Sequence, residues 1–293
     1  MPRVLKLRNS IQAYAWGSRT AIAELLGTPV PAEPQAELWM GAHPKAASEV
    51  WVDGAWRALD RMIEECGASI LGSRVCAAFS GRLPFLFKIL AAAEPLSIQA
   101  HPNKARAAAG FERENAAGLG LADPLRNYRD AHHKPEILYA LTPFTALRGF
   151  LPAAEIDERL RASGLGAHLP GAREAGLSGF FSAFLNLEGG AVALAIEQAL
   201  ARSGRLGAES ARWIERLAAS YPGDRGALAP VFMRRVDLNP GEAVFTPPGV
   251  LHAYLEGVGV ELMASSDNVL RGGLTRKHVE PDELMRIARF EVE

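Results

Sequence analysis

Gly241-Glu242-Ala243-Val244-Phe245-Thr246-Pro247-Pro248-Gly249-Val250-Leu251-His252-Ala253-Tyr254-Leu255-Glu256 reads as two strands joined by a tight turn. The two prolines remove backbone donors and Gly249 admits a left-handed backbone, so the ladder stops and then resumes. His252 returns on the second strand, facing an interior. The run fits G-x5-P-x-G-x2-H-x3-[N/E], a spacing long enough to argue against an ordinary turn followed by a stray histidine.

Short apolar or alternating segments continue on either side of it. Strands are expected at Glu37–Met40, Glu49–Val52, Leu83–Leu90, Leu96–His101, Glu136–Leu141, Val231–Leu238, Ala243–Thr246 and Val258–Met263. Between them the texture changes to apolar residues at three-to-four spacing closed by a breaker: Ala153–Ser163 before Gly164, Ala191–Ser203 before Gly204, Glu209–Ser220 before Pro222. The expected organisation is a β framework of residues 1–150 plus 227–280, a helical insert over 151–226, and a short helix and tail over 281–293.

The 293 residues carry 32 Lys plus Arg against 33 Asp plus Glu, a net charge of -1, which gives no electrostatic reason for nucleic acid or an anionic membrane as partner. With 48% hydrophobic and 22% charged residues a compact core is expected rather than disorder. The most apolar stretch, Phe85 to Ala93, is shorter than the ~20 residues of a spanning helix and contains Lys88. The N-terminus lacks a signal-peptide core, so a cytoplasmic location is expected. Cys66 and Cys76 suit neither a disulfide framework nor a thiolate metal site.

Three segments carry candidate chemistry. On Leu96–Pro102 strand alternation sends Ser97, Gln99 and His101 to one face. In Asn127–Glu136, Glu136 opens a strand and has His133 and Lys134 beside it. The third contributes His252. Two imidazoles, a carboxylate and an amide oxygen suit Zn²⁺, with Mn²⁺, Co²⁺ or Fe²⁺ possible, and leave room for water or a substrate oxygen. The aromatic residues Tyr14, Trp16, Trp39, Trp51 and Trp56 read as core of the N-terminal sheet, and Tyr254 as packing.

The turn-and-histidine run resembles the second signature of the cupin superfamily, which implies a mainly β fold: a cupin-type jelly-roll β-barrel with an inserted α-helical domain. The segments IQAYAWGS (11–18), ELWMGAHP (37–44), PFLFKIL (84–90), LSIQAHPNK (96–104), HKPEILYAL (133–141), YPGDRGALAP (221–230), PPGVLHAYLEG (247–257) and VELMASSDNVLRGGLTRKH (260–278) fall in order along nearly the whole chain and resemble type I mannose-6-phosphate isomerases. That resemblance implies one Zn²⁺ per chain on Gln99, His101, Glu136 and His252, an active-site arginine at Arg271, and interconversion of mannose 6-phosphate and fructose 6-phosphate through an enediol. Arg276 stands where the family usually has proline. Bacterial and fungal relatives generally continue into a second C-terminal barrel, whereas this chain stops at Glu293.

For the proton between C1 and C2, Lys134 and Asp267 rank above His133 and Glu261. Ser97, Lys88 and Lys277 are the candidates for phosphate, with Lys88 in an apolar strand where a buried charge needs an anionic partner. His133 and Glu261 are also placed among the substrate-contacting residues. The only partner expected is the sugar phosphate, with a monomer favoured. Alternatives are a non-catalytic sugar-phosphate-binding cupin and an Fe²⁺ cupin dioxygenase, the latter weakened by Gln99 standing where such sites more often have histidine.

Overall fold

The structure, a computed structural model, describes residues 4–292 except 170 and 172–174. Two antiparallel sheets are present among them. A small one orders Leu7–Arg8, Glu49–Val52 and Ala55–Ala58. The large one has ten strands, with a main path Met233–Leu238, Phe144–Phe150, His252–Ala264, Phe85–Ala92, Glu37–Met40, Ser10–Gln12.

The His252–Ala264 strand organises the large sheet. Its first half pairs with Ile98–Ala100 on one side and Phe144–Phe150 on the other, while its second half pairs with Phe85–Ala92 and Glu136–Ala140. A bulge between Tyr254 and Glu256 marks the change of neighbours. Ala243–Thr246 extends the sheet through Glu136–Ala140, and Leu270–Gly273 through Ile98–Ala100.

Two sequence expectations need correction. The chain is mixed rather than mainly β, 37% helical against 25% strand, and the sheet path does not close into a barrel among the described residues. Part of the excess helix lies in the region read as framework: Leu59–Leu71, Ser73–Ala78 and Lys104–Ala116. Lys104–Ala116 starts where Pro102 ends a strand and Asn103 accepts from the Arg106 amide at 2.9 Å, an N-cap. The expected strand Val258–Met263 is the far half of a strand that begins at His252.

The helices Ala153–Ser163, Gly176–Leu185, Gly190–Ala201 and Ala208–Ser220 share a core with the sheet. Phe181 and Phe232 pack against Phe150, and Phe184 meets Phe232 edge to face, bringing the helical side against the back of the strands that carry Gln99 and His252. No single helix among the described residues is long and apolar enough to cross a membrane.

Candidate metal centre and active site

The turn Thr246–Leu251 is fixed by backbone geometry. Gly249 has φ +88°, and a Cβ there would lie 2.7 Å from the Ile287 carbonyl oxygen, so only glycine fits. Its N–H donates to the His101 carbonyl at 2.8 Å, tying the turn to the end of the first ligand strand. Register then sets His252 opposite Gln99, and Gln99 opposite Arg271, so three functional side chains form a row across three strands. Glu136 opens the strand on the other edge of His252–Ala264, opposite Met263.

His101 Nε2 lies 3.3 Å from Glu136 Oε1, and His252 Nε2 lies 3.2 Å from Glu136 Oε2. His101 Nδ1 donates to the Asn268 carbonyl at 2.7 Å and His252 Nδ1 to the Val250 carbonyl at 3.0 Å. With both Nδ1 protons committed, each Nε2 presents a lone pair to a carboxylate that also has only lone pairs. His101 Nε2 and Glu136 Oε2 are buried without a hydrogen-bond partner. Lys134 meets Glu136 at Oε1, which leaves Glu136 Oε2 and His101 Nε2 converging as buried acceptors without a donor, and the three residues' ligand atoms lie within 4.8 Å of one another, as a divalent cation requires. Gln99 approaches through its amide, 3.4 Å from His252 Nε2; its oxygen and nitrogen ends are nearly isosteric, so a half-turn offers the oxygen.

Burial pushes the His101 imidazole down to about 4, helped by the charge of Lys134. Burial alone would raise Glu136, but Lys134, at 3.0 Å, and the imidazoles hold it well below the usual carboxylate range. The fit to a cation is therefore already electrostatic: neutral imidazoles and an ionised carboxylate.

A cavity of about 490 Å³ opens beside this cluster. Gln99, Glu136, Lys134, Lys88, Glu37 and Glu261 line it, with Ser97, Asp267, Arg271 and Lys277. On its floor Lys88 sits between Glu37 Oε1 and Glu261 Oε2, each at 3.2 Å, and 5.2 Å over the Trp39 ring. Burial opposes its charge, yet the two carboxylates prevail and hold Lys88 above its ordinary value. Glu261 is raised by burial, with Lys88 opposing. Nearer the rim, Asp267 binds Lys45 at 2.7 Å and His43 at 3.4 Å; burial notwithstanding, those partners hold it well below the usual range. Arg271 has neither hydrogen bond nor ion pair among the described residues, and burial together with Arg129 lowers its pKa. Lys277 is lowered likewise, by burial, Arg271, Arg129 and Lys45.

Several expectations change here. His133 is exposed and does not line the cavity. The partner of Lys88 is supplied by Glu37 and Glu261 rather than left for an anionic ligand. Tyr14, Trp16, Trp39 and Tyr254 line the cavity, while Trp51 and Trp56 meet edge to face in the small sheet. Glu37 was missed as a site residue. The signal for it was the ELWM strand itself, where a carboxylate beside buried Leu38 and Trp39 has to meet a cation. A second cavity, of about 510 Å³, lies against the Ala208–Ser220 helix, and its Arg159 and Arg235 are already paired with Glu155 and Glu209.

A family model described as the catalytic domain of type I phosphomannose isomerase matches residues 4–153. The mannose-6-phosphate isomerase of Salmonella typhimurium is 44% identical, over 98% of this chain and 75% of its own. The human mannose-6-phosphate isomerase is 37% identical, over 99% of this chain and 74% of its own. A crystal structure of the Salmonella typhimurium enzyme bound to fructose 6-phosphate and zinc superposes with a TM-score of 0.90 at 43% identity, covering 99% of this chain and 75% of that one.

Proposed function

Because this chain belongs to the type I phosphomannose isomerase family, we propose that it interconverts mannose 6-phosphate and fructose 6-phosphate, with one zinc ion held by Gln99, His101, Glu136 and His252. The observation that carries the proposal is the buried knot of acceptors formed by His101, His252 and Glu136, in which Lys134 meets Glu136 at Oε1 while His101 Nε2 and Glu136 Oε2 are left without a hydrogen-bond partner. Zinc, when bound, supplies Lewis-acid polarisation of substrate oxygens.

The chain's own groups divide the remaining work. Arg271, permanently charged and unpaired, neighbours Gln99 in register and would hold the oxyanion that develops as the C–H proton leaves. Lys277 at the rim, with the Ser97 hydroxyl on the cavity wall, is the proposed phosphate contact. Lys88 acts from the floor by keeping Glu37 and Glu261 oriented. For proton transfer between C1 and C2, Asp267 is poorly suited, since Lys45 and His43 depress its affinity for protons. Lys134, beside Glu136, and Glu261, whose proton affinity burial raises, are the better candidates. The expected division stands as part of this proposal: residues 1–150 with 227–280 carry the chemistry, 151–226 buttress it, and 281–293 close the chain.

The test is turnover of mannose 6-phosphate in a coupled assay, with metal content measured in parallel, before and after chelation. Turnover that falls with zinc and returns on zinc addition is expected. Full activity in metal-free protein would overturn the reading, as would zinc-replete protein that binds the sugar phosphate without converting it.

A further inference from the structure

The strand Leu270–Gly273 carries Arg271, and past it the chain runs through Leu274, Thr275 and Arg276 to Lys277, all of which line the cavity. Its ladder to Ile98–Ala100 sets Arg271 opposite Gln99 and stops at Gly273. Lys277 therefore needs another support. It comes from 50 residues upstream, in the turn between the Ala208–Ser220 helix and the short helix Arg225–Val231. There the Asp224 carboxylate accepts from backbone amides on both segments: Oδ1 from Gly226 at 2.7 Å and from Leu274 at 2.8 Å, Oδ2 from Thr275 at 3.0 Å. The Thr275 hydroxyl in turn accepts from the Lys277 amide at 3.0 Å. One threonine thus links the carboxylate to the backbone of Lys277.

Leu274 has φ +54°, a left-handed backbone that leucine adopts only under constraint, and its side chain is buried in the core shared with the helices. The core holds the side chain, and Asp224 holds the amide. A Cβ at Gly226 would fall 2.6 Å from the Leu274 nitrogen, so the two backbones touch and the turn cannot slide along the segment. On its far side the turn is tied down by the Tyr221 hydroxyl, which donates to the Pro95 carbonyl at 2.6 Å. Asp224 itself does not line the cavity. We propose that Asp224 is a positioning residue for the substrate's phosphate: it holds Thr275, and through it Lys277, at the rim, while Arg271 is placed independently by its strand. This rests on the reading of Lys277 as the phosphate contact.

Asp224→Asn tests the proposal, because either orientation of the amide turns an NH₂ group against at least one of the backbone donors. The variant, checked for native circular dichroism and full zinc content, should raise KM for mannose 6-phosphate about tenfold, with kcat within about twofold of wild type. Ki for inorganic phosphate as a competitive inhibitor should rise by the same factor. Thr275→Val breaks the relay beyond the carboxylate and should also raise KM, with Thr275→Ser restoring it; this pair decides the matter if Asp224→Asn does not fold. In a Lys277→Ala background, Asp224→Asn should add less than about twofold. Additive effects overturn the proposal, as does a fall in kcat at unchanged KM. An unchanged KM in Asp224→Asn, when Lys277→Ala alone raises it, removes the positioning role and leaves the phosphate contact standing. An unchanged KM in Lys277→Ala removes both.

Discussion

Lys88 shows how much a single buried charge can organise. It satisfies Glu37 and Glu261 together, so Lys88→Ala strands two carboxylates out of water. Removing one partner of a buried ion pair typically costs about 3–5 kcal/mol, and urea unfolding at pH 7 should show a loss of that order. The metal ligands and Arg271 separate by readout. His252→Ala should lose bound zinc, whereas Arg271→Ala should keep it and lose about 10²–10³-fold in kcat, the usual cost of removing an oxyanion donor; metal analysis beside kinetics checks both, and equal zinc loss would contradict the assigned roles. His101, Glu136 and His252 were legible in the sequence, because each sits at the mouth of a strand with a turn or proline fixing its position. Glu37 and the pairing of Lys88 were not, since which carboxylate meets which lysine depends on the antiparallel register that sets Trp39 opposite Lys88. His133 misled because it adjoins Lys134, and on a loop adjacency says nothing about direction.

Elements were legible where a pattern was strong and opaque where packing overrode propensity. Glu37–Met40, Glu49–Val52, Ala243–Thr246 and Ala153–Ser163 occur with the expected bounds. The Gly176–Leu185 helix escaped notice because its glycines are weak helix formers; it is held by Phe180, Phe181 and Phe184 in the shared core. Lys104–Ala116 is rich in alanine and charge, with few apolar landmarks to reveal a period. That helix makes its own prediction. A Cβ at Gly110 would fall 2.5 Å from the Tyr128 ring, so Gly110→Ala should destabilise by about 1–3 kcal/mol through overpacking, although alanine is the better helix former; thermal unfolding decides the sign. The last helix, Pro281–Ile287, is moored by Glu283, which accepts from the Tyr128 hydroxyl at 2.6 Å and pairs with Arg113 at 2.8 Å. Burial would raise Glu283, but those two donors hold it below its ordinary value. Its contribution is therefore present above the ordinary carboxylate value and lost as pH falls through the depressed one. Glu283→Gln should cost about 1–2 kcal/mol at pH 7, with the gap to wild type narrowing on acidification in pH-resolved urea titrations.

At the scale of the molecule, ligand burial couples metal to folding. Zinc that binds only the native state should add about 4 kcal/mol at a thousandfold excess over Kd, so chelation is expected to lower the melting temperature by several degrees, read by calorimetry with and without added zinc. The open sheet was not foreseeable from strand signals, because closure depends on how edge strands are paired, and nothing local encodes that. The bulge after Tyr254 has a further consequence. His252 and Glu261 lie an odd number of positions apart on one strand, and an unbroken pleat would aim them at opposite faces. The single irregular step resets the parity, so the metal-facing half and the floor-facing half of the strand look into the same chamber. Ironing that step into a regular pleat with every residue kept would shift the phase of all that follows like a slipped reading frame: Leu262 would swing into the chamber and Glu261 out to the opposite face, with every side chain left chemically intact.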